Sequence, residues 1–69
     1  MEYNYLWLLN YYTGECIVIK LTVEDKQAMS EYEDFENFII DCLEEKYNFN
    51  LKDCCWMTSE NYEFTKFGF

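Results

Sequence analysis

Glu2-Tyr3-Asn4-Tyr5-Leu6-Trp7-Leu8-Leu9-Asn10-Tyr11-Tyr12 runs into Thr13-Gly14-Glu15 and then into Cys16-Ile17-Val18-Ile19-Lys20-Leu21-Thr22. The reading of this stretch decides the fold. The first run is rich in aromatic residues and the second in β-branched ones, and both kinds suit a pleated surface. Gly14 takes a positive φ without steric penalty, which marks a turn between them. The stretch therefore predicts a β-hairpin over residues 2–22. With Thr13-Gly14 as a two-residue loop, Leu6, Leu8 and Tyr12 share a face with Ile17, Ile19 and Leu21. Tyr3, Tyr5, Trp7, Leu9 and Tyr11 then lie beside Cys16, Val18 and Lys20 on the other. A three-residue loop would slip one strand and exchange those partnerships, because side chains alternate with a period of two. In either register both faces of the first strand are largely apolar. One helix layer covers one face. The other needs a subunit, a partner, or the end of the sequence folded back.

Working outward, Thr22 with Asp25 and Ser30 with Glu33 both have the spacing of helix-start caps. The first predicts a short helical turn over residues 23–29, the second a main helix over about 31–47. In that helix Phe35, Phe38, Ile39, Cys42 and Leu43 recur at i, i+3, i+4, i+7 and i+8, the pattern of one buried stripe. Asn48 and Asn50 mark its exit. Cys54-Cys55-Trp56-Met57 predicts a strand over about 54–58, and the alternation Tyr62-Glu63-Phe64-Thr65-Lys66-Phe67 an edge strand over 62–67. The order β-β-α-β-β defines an α+β fold: a small single domain, residues 1–69, with an antiparallel sheet packed on one main helix.

So short a chain buries a modest core. Seven Tyr, six Phe and two Trp supply large buried area per residue, and some of these rings are expected to face a partner. Fourteen carboxylates against five Lys, with no Arg and no His, give a net charge of −9. Direct binding to DNA or RNA needs clustered cations and is not expected. Binding to an anionic membrane surface is disfavoured for the same reason. A basic partner is favoured, drawn in by electrostatic steering. Met1-Glu2-Tyr3-Asn4-Tyr5 lacks the basic start of a secretory signal, and no run approaches the roughly 18 apolar residues of a membrane span. The expected setting is cytoplasmic, where Cys16, Cys42, Cys54 and Cys55 stay reduced.

Catalytic chemistry finds few residues to work with. The missing His removes the usual general base and rules out Ser–His and Cys–His pairs. Gly14 and Gly68 are the only glycines, too few for a phosphate loop. The cysteine spacing lacks the two C-x₂₋₄-C pairs of a four-thiolate zinc site, so no metal and no cofactor are expected. On a strand, Cys54 and Cys55 point to opposite faces. Packing is their expected role, ahead of redox chemistry. Glu33 with Asp34, or Glu44 with Glu45, could in principle serve as paired acid and base, but so small a chain has little room for a cleft. No catalytic residue is assigned, and the expectation is a protein that is not an enzyme.

The charge is concentrated. Residues 24–45 hold Glu24, Asp25, Glu31, Glu33, Asp34, Glu36, Asp41, Glu44 and Glu45 against Lys26 alone, nine negative charges and one positive, a net −8 of the total −9. At about 100° per residue the side opposite the stripe carries Glu33, Asn37, Ile40, Asp41 and Glu44, flanked by Glu36. Like charges at helical spacing weaken a helix by a few tenths of a kcal/mol per pair, about 0.2–0.5. A soluble surface ordinarily intersperses both signs. The one-sided face is therefore a candidate partner-binding surface, with Ile40 and Tyr47 as apolar anchors. Carboxylates about 5–6 Å apart on a helix are spaced on the order of backbone phosphates, so the face could mimic a nucleic acid.

In size, acidity and an acidic helix on a small sheet, the chain resembles the general class of tiny acidic proteins by which phages block host defence nucleases, anti-CRISPR proteins among them. The resemblance covers no specific motif. It implies an inhibitor that mimics DNA and occupies a basic, nucleic-acid-binding protein. The alternative expectation is a structural or adaptor module that homodimerises or docks through the aromatic face of Tyr3, Tyr5, Trp7 and Tyr11.

Overall fold

The computed structural model describes residues 3–69, so the expected hairpin start at Glu2 lies outside the described residues. Strand β1 (Tyr5–Asn10) pairs antiparallel with β2 (Cys16–Lys20) on one side and with β3 (Cys54–Ser59) on the other, giving the order β2-β1-β3. Helix α1 (Val23–Met29) follows the hairpin. Helix α2 spans residues 35–47 as an α-helical start Phe35–Phe38, a π-helical stretch Ile39–Leu43 and an α-helical end Glu44–Tyr47. A 3₁₀ turn, Leu51–Asp53, leads into β3. The fold is α+β, as the hydrophobic patterning predicts.

The hairpin register pairs Leu6 with Ile19 and Leu8 with Ile17. The loop is longer than either the two- or the three-residue alternative: Asn10 N–H donates to Glu15 O at 2.9 Å, and Gly14 N–H to Asn10 O at 2.9 Å. The Asn10 side chain accepts from Tyr12 N and Thr13 N, which fixes the turn, and Gly14 has φ +74°. Tyr12 therefore sits in the loop rather than on the sheet. A loop lengthened by two residues preserves face parity, whereas one residue would have inverted it. Leu6, Leu8, Ile19 and Leu21 are accordingly buried together, as expected for one face of the hairpin.

Thr22 caps α1 with a reciprocal box. Its Oγ1 accepts from Asp25 N at 3.1 Å and the Asp25 carboxylate accepts from Thr22 N at 3.0 Å. The second expected cap does not form. Ser30 closes α1 instead, its Oγ donating to Gln27 O at 2.7 Å, and α2 starts at Phe35 rather than at residue 31. Short polar side chains serve either end of a helix, and here the preceding helix claims Ser30. At the exit Asn48 adopts the left-handed conformation (φ 58°), and Phe49 N–H returns to Glu44 O at 3.2 Å.

The core joins the hairpin face to α2: Phe38, Ile39 and Leu43 are fully buried against Leu6 and Leu8, with Leu51 and Cys54 closing one end. Tyr3, Phe35 and Trp56 ring this cluster, with Tyr3 and Phe35 centroids 5.2 Å apart and Phe35 and Trp56 5.6 Å apart. The final expected strand is absent: residues 62–69 form no strand. Residues 62–64 lie on the open sheet face instead, where Tyr62 stacks on Trp7 at 5.5 Å and Phe64 meets Trp7 edge-on at 6.3 Å. Ring-on-ring contact to a flat apolar face outcompetes edge pairing for this alternating aromatic segment.

Phe38→Ala should cost about 3–5 kcal/mol, a large share of the marginal stability of a small domain. Urea unfolding followed by circular dichroism checks it; a loss below about 1 kcal/mol would contradict the central place given to Phe38.

Candidate functional site

Two surfaces emerge, one on the helix side and one on the open side of the sheet. On the helix side Glu36, Asn37, Ile40 and Asp41 are exposed along α2, with Ile40 44% exposed among the charges. Glu33 is exposed too, but at the bend before the helix rather than on it. Glu31, Asp34 and Glu45 are also exposed. Two carboxylates of the acidic stretch have structural work. Asp25 is buried in the α1 cap and forms the one ion pair among the described residues, 3.7 Å from Lys46 Nζ. That carboxylate, ahead of Tyr47, raises the Lys46 pKa. Glu44 is half-buried, and its Oε2 accepts from Leu51 N at 2.7 Å.

The π-helical stretch explains the position of Glu44. Its i→i+5 bonding, with Glu44 N–H donating to Ile39 O, turns each residue by roughly 80° instead of 100°. Leu43 thereby moves from the margin of the apolar stripe to its centre. Glu44 moves from the outer face, where regular spacing puts it, to the border beside the 3₁₀ turn. A concavity of about 300 Å³ opens there, lined by Glu36, Ile40, Glu44, Asn50, Leu51 and Lys52. Its lining is mixed: Ile40 and Leu51 are apolar, Glu36 and Glu44 are acidic, and Lys52 is basic.

The segment before α2 is held by Tyr32, whose hydroxyl lies 3.7 Å from Cys42 Sγ and whose ring meets Phe38 edge-on. That hydrogen bond, then burial and the charges of Cys42 and Asp41, push the Tyr32 pKa up to about 12. Tyr32 is thus neutral across the physiological range.

The four candidate aromatic interface residues separate. Tyr5 and Trp7 lie on the open sheet face, Trp7 Nε1 donating to Ser59 Oγ at 2.7 Å and both rings touching Tyr62. Tyr3, just before β1, packs on Phe35 at the core instead. Tyr11 is exposed in the hairpin loop. Both belong to the chain outside the regular strand, where strict alternation no longer applies. The patterning did not reveal a shallow apolar hollow of about 300 Å³ on the open face, lined by Trp7, Leu9, Cys16, Cys55 and Met57. Its signal was present in the register: Leu9 pairs with Cys16 on one side and Cys55 on the other.

All four cysteines are free thiols. Cys54 is buried and Cys55 exposed, the opposite orientation that strand alternation requires. Burial, and then the charges of Asp53, Glu15 and Glu44, raise the Cys54 pKa. Among the described residues no helix is long and apolar enough to cross a membrane. Comparison with protein-family models, with curated proteins and with solved structures finds no significant match to the chain.

Two measurements check this geometry. Glu44→Ala should destabilise by about 1.5–3 kcal/mol, since it removes a charged acceptor from the Leu51 amide. Glu44→Gln, which keeps an acceptor, should lose less than half as much. In thiol titration with a colorimetric disulfide, Cys16 and Cys55 should react rapidly and Cys54 only on unfolding; a Cys54 as fast as Cys55 would contradict the burial.

Proposed function

We propose that the chain is a small, non-enzymatic binding protein whose acidic helix side occupies a basic, nucleic-acid-binding surface of another protein and so blocks it. The observation that supports this reading most is the charge distribution between Lys26 and Lys46. That interval contains no cation, and Glu31, Glu33, Asp34, Glu36, Asp41 and Glu45 are all exposed within it. A surface that only needs to be soluble gains little from excluding lysine there. A basic groove evolved to hold phosphates gains Coulomb energy from each carboxylate it meets. Ile40 and the adjoining concavity add an apolar contact at the centre of the charged face, where binding energy concentrates. The partner is a basic protein that handles nucleic acid, of which a host defence nuclease is an example.

Immobilised full-length chain should capture such a partner from a host lysate at low salt and release it as salt rises. DNA or RNA should compete with it. Glu36→Lys with Asp41→Lys should weaken binding at least tenfold, about 1.4 kcal/mol. Glu44 is left unchanged because of its bond to Leu51. If the doubly reversed variant retained the same proteins at the same salt, the acidic face would not be the binding surface.

A further inference from the structure

We propose that the hollow on the open sheet face receives Phe67 and Phe69 from a second copy of this chain, so that two copies pair by exchanging these segments reciprocally. The proposal goes beyond the acidic-face reading and does not depend on it.

The hollow is the first observation. Trp7, Leu9, Cys16, Cys55 and Met57 surround it, with Leu9 50% and Met57 65% exposed. No carboxylate lines it, on a chain of net charge −9. The second observation is a matching pair of rings. Residues 62–64 already lie on the same face, Tyr62 and Phe64 covering its Trp7 end. Phe67 and Phe69, three and five residues on, are 85% and 99% exposed and remain outside their own chain's hollow. Lys66 Nζ lies 5.6 Å from the centroids of both the Phe64 and Phe69 rings. One molecule thus presents both an uncovered apolar recess and two uncovered phenyl rings, the self-complementarity that a two-fold contact requires.

Area and charge both permit the pairing. Two rings from each copy, at about 150–250 Å² per ring, bury some 600–1,000 Å² of ring surface. The walls of so shallow a recess add much less, so the contact is smaller than a standard interface and the pair is a weak, concentration-dependent one. Helix α2, which carries Glu36, Asp41 and Glu45, packs on the far side of the sheet from the hollow. Sheets facing each other at about 10 Å, each backed by a helix of about 10 Å diameter, hold the two acidic faces roughly 30 Å or more apart. That distance is several times the Debye length of about 8 Å at physiological salt. Face-to-face pairing therefore avoids the repulsion that other orientations would meet.

Sedimentation equilibrium of the full chain should show a dimer whose affinity is unchanged or slightly higher in high salt. Met57→Glu, which spoils the recess, and Phe67→Ala with Phe69→Ala, which removes the rings, should each raise the dimer dissociation constant at least tenfold. Circular dichroism should show both variants folded. If Met57→Glu fails to fold, Leu9→Gln replaces it. Mixing the two variants should give a one-to-one pair tighter than either variant forms alone but weaker than wild type, because one of the two ring–recess contacts is intact. A monomeric wild-type chain would overturn the proposal, including one in which the rings close over their own recess. So would a dimer that survives both substitutions, or variants that fail to complement.

Discussion

The contact between the even-numbered side of β1 and the inner side of α2 determines everything else in this molecule. Leu6 and Leu8 meet Phe38, Ile39 and Leu43, and all five are fully buried. β1 is also the central strand, so its two neighbours in the sheet are positioned by the same residues. In a chain this short no second core shares the load. The hairpin loop, the α1 cap and the exit at Asn48 are devices that return the backbone to this one contact. They are built from local hydrogen bonds that need no distant partner: Asn10 to its own loop, Thr22 with Asp25, and Phe49 back to Glu44.

Those local devices are also what the sequence made legible. The hairpin, the capping box at Thr22 and the Phe35-to-Leu43 stripe depend on neighbours a few residues away, and each occurs where its spacing predicts. The hairpin loop is two residues longer than a Thr13-Gly14 turn would make it, and an even slip leaves every side chain on its own face. What escaped depends on competition. Ser30 could cap either of two helices, and only the packed chain decides. The segment 62–67 alternates like a strand, yet the Trp7 face offers its rings more than an edge offers its backbone. The π-helical stretch has no pattern of its own. It accommodates Leu43 at the centre of the buried stripe, and the cost is visible only downstream, at Glu44.

This rotation changes how the acidic stretch should be understood. Counted along the sequence, nine carboxylates form one feature. In the fold they divide by occupation. Asp25 holds the start of α1 and pairs with Lys46, which ties the short helix to the end of the long one. Glu44 holds the amide that begins the 3₁₀ turn and so sets the entry to β3. The remaining seven form no ion pair among the described residues, and of them Asp41 also acts on Tyr32, whose pKa it helps to raise. Like-charge repulsion among them works against the helix, while the two engaged carboxylates sit where folding uses their charge. A substitution scan across the stretch thus mixes two effects, and only the seven bear on binding through charge.

The apolar faces of β1 divide the molecule in the same way. One face is spent on stability, leaving almost no exposed area. The other is only half-covered, by a segment that contributes rings rather than backbone pairing. A strand apolar on both sides is expensive to leave open in water: about 25 cal/mol per Å² of apolar surface. A sheet of three strands with a single helix layer cannot close both sides by itself. Polar residues at Leu9, Val18 and Met57 would have removed the problem without touching the core, because these side chains point away from α2. Their presence in an otherwise highly charged chain is what the proposed pairing of open faces would account for, and such pairing would leave the acidic helix side accessible.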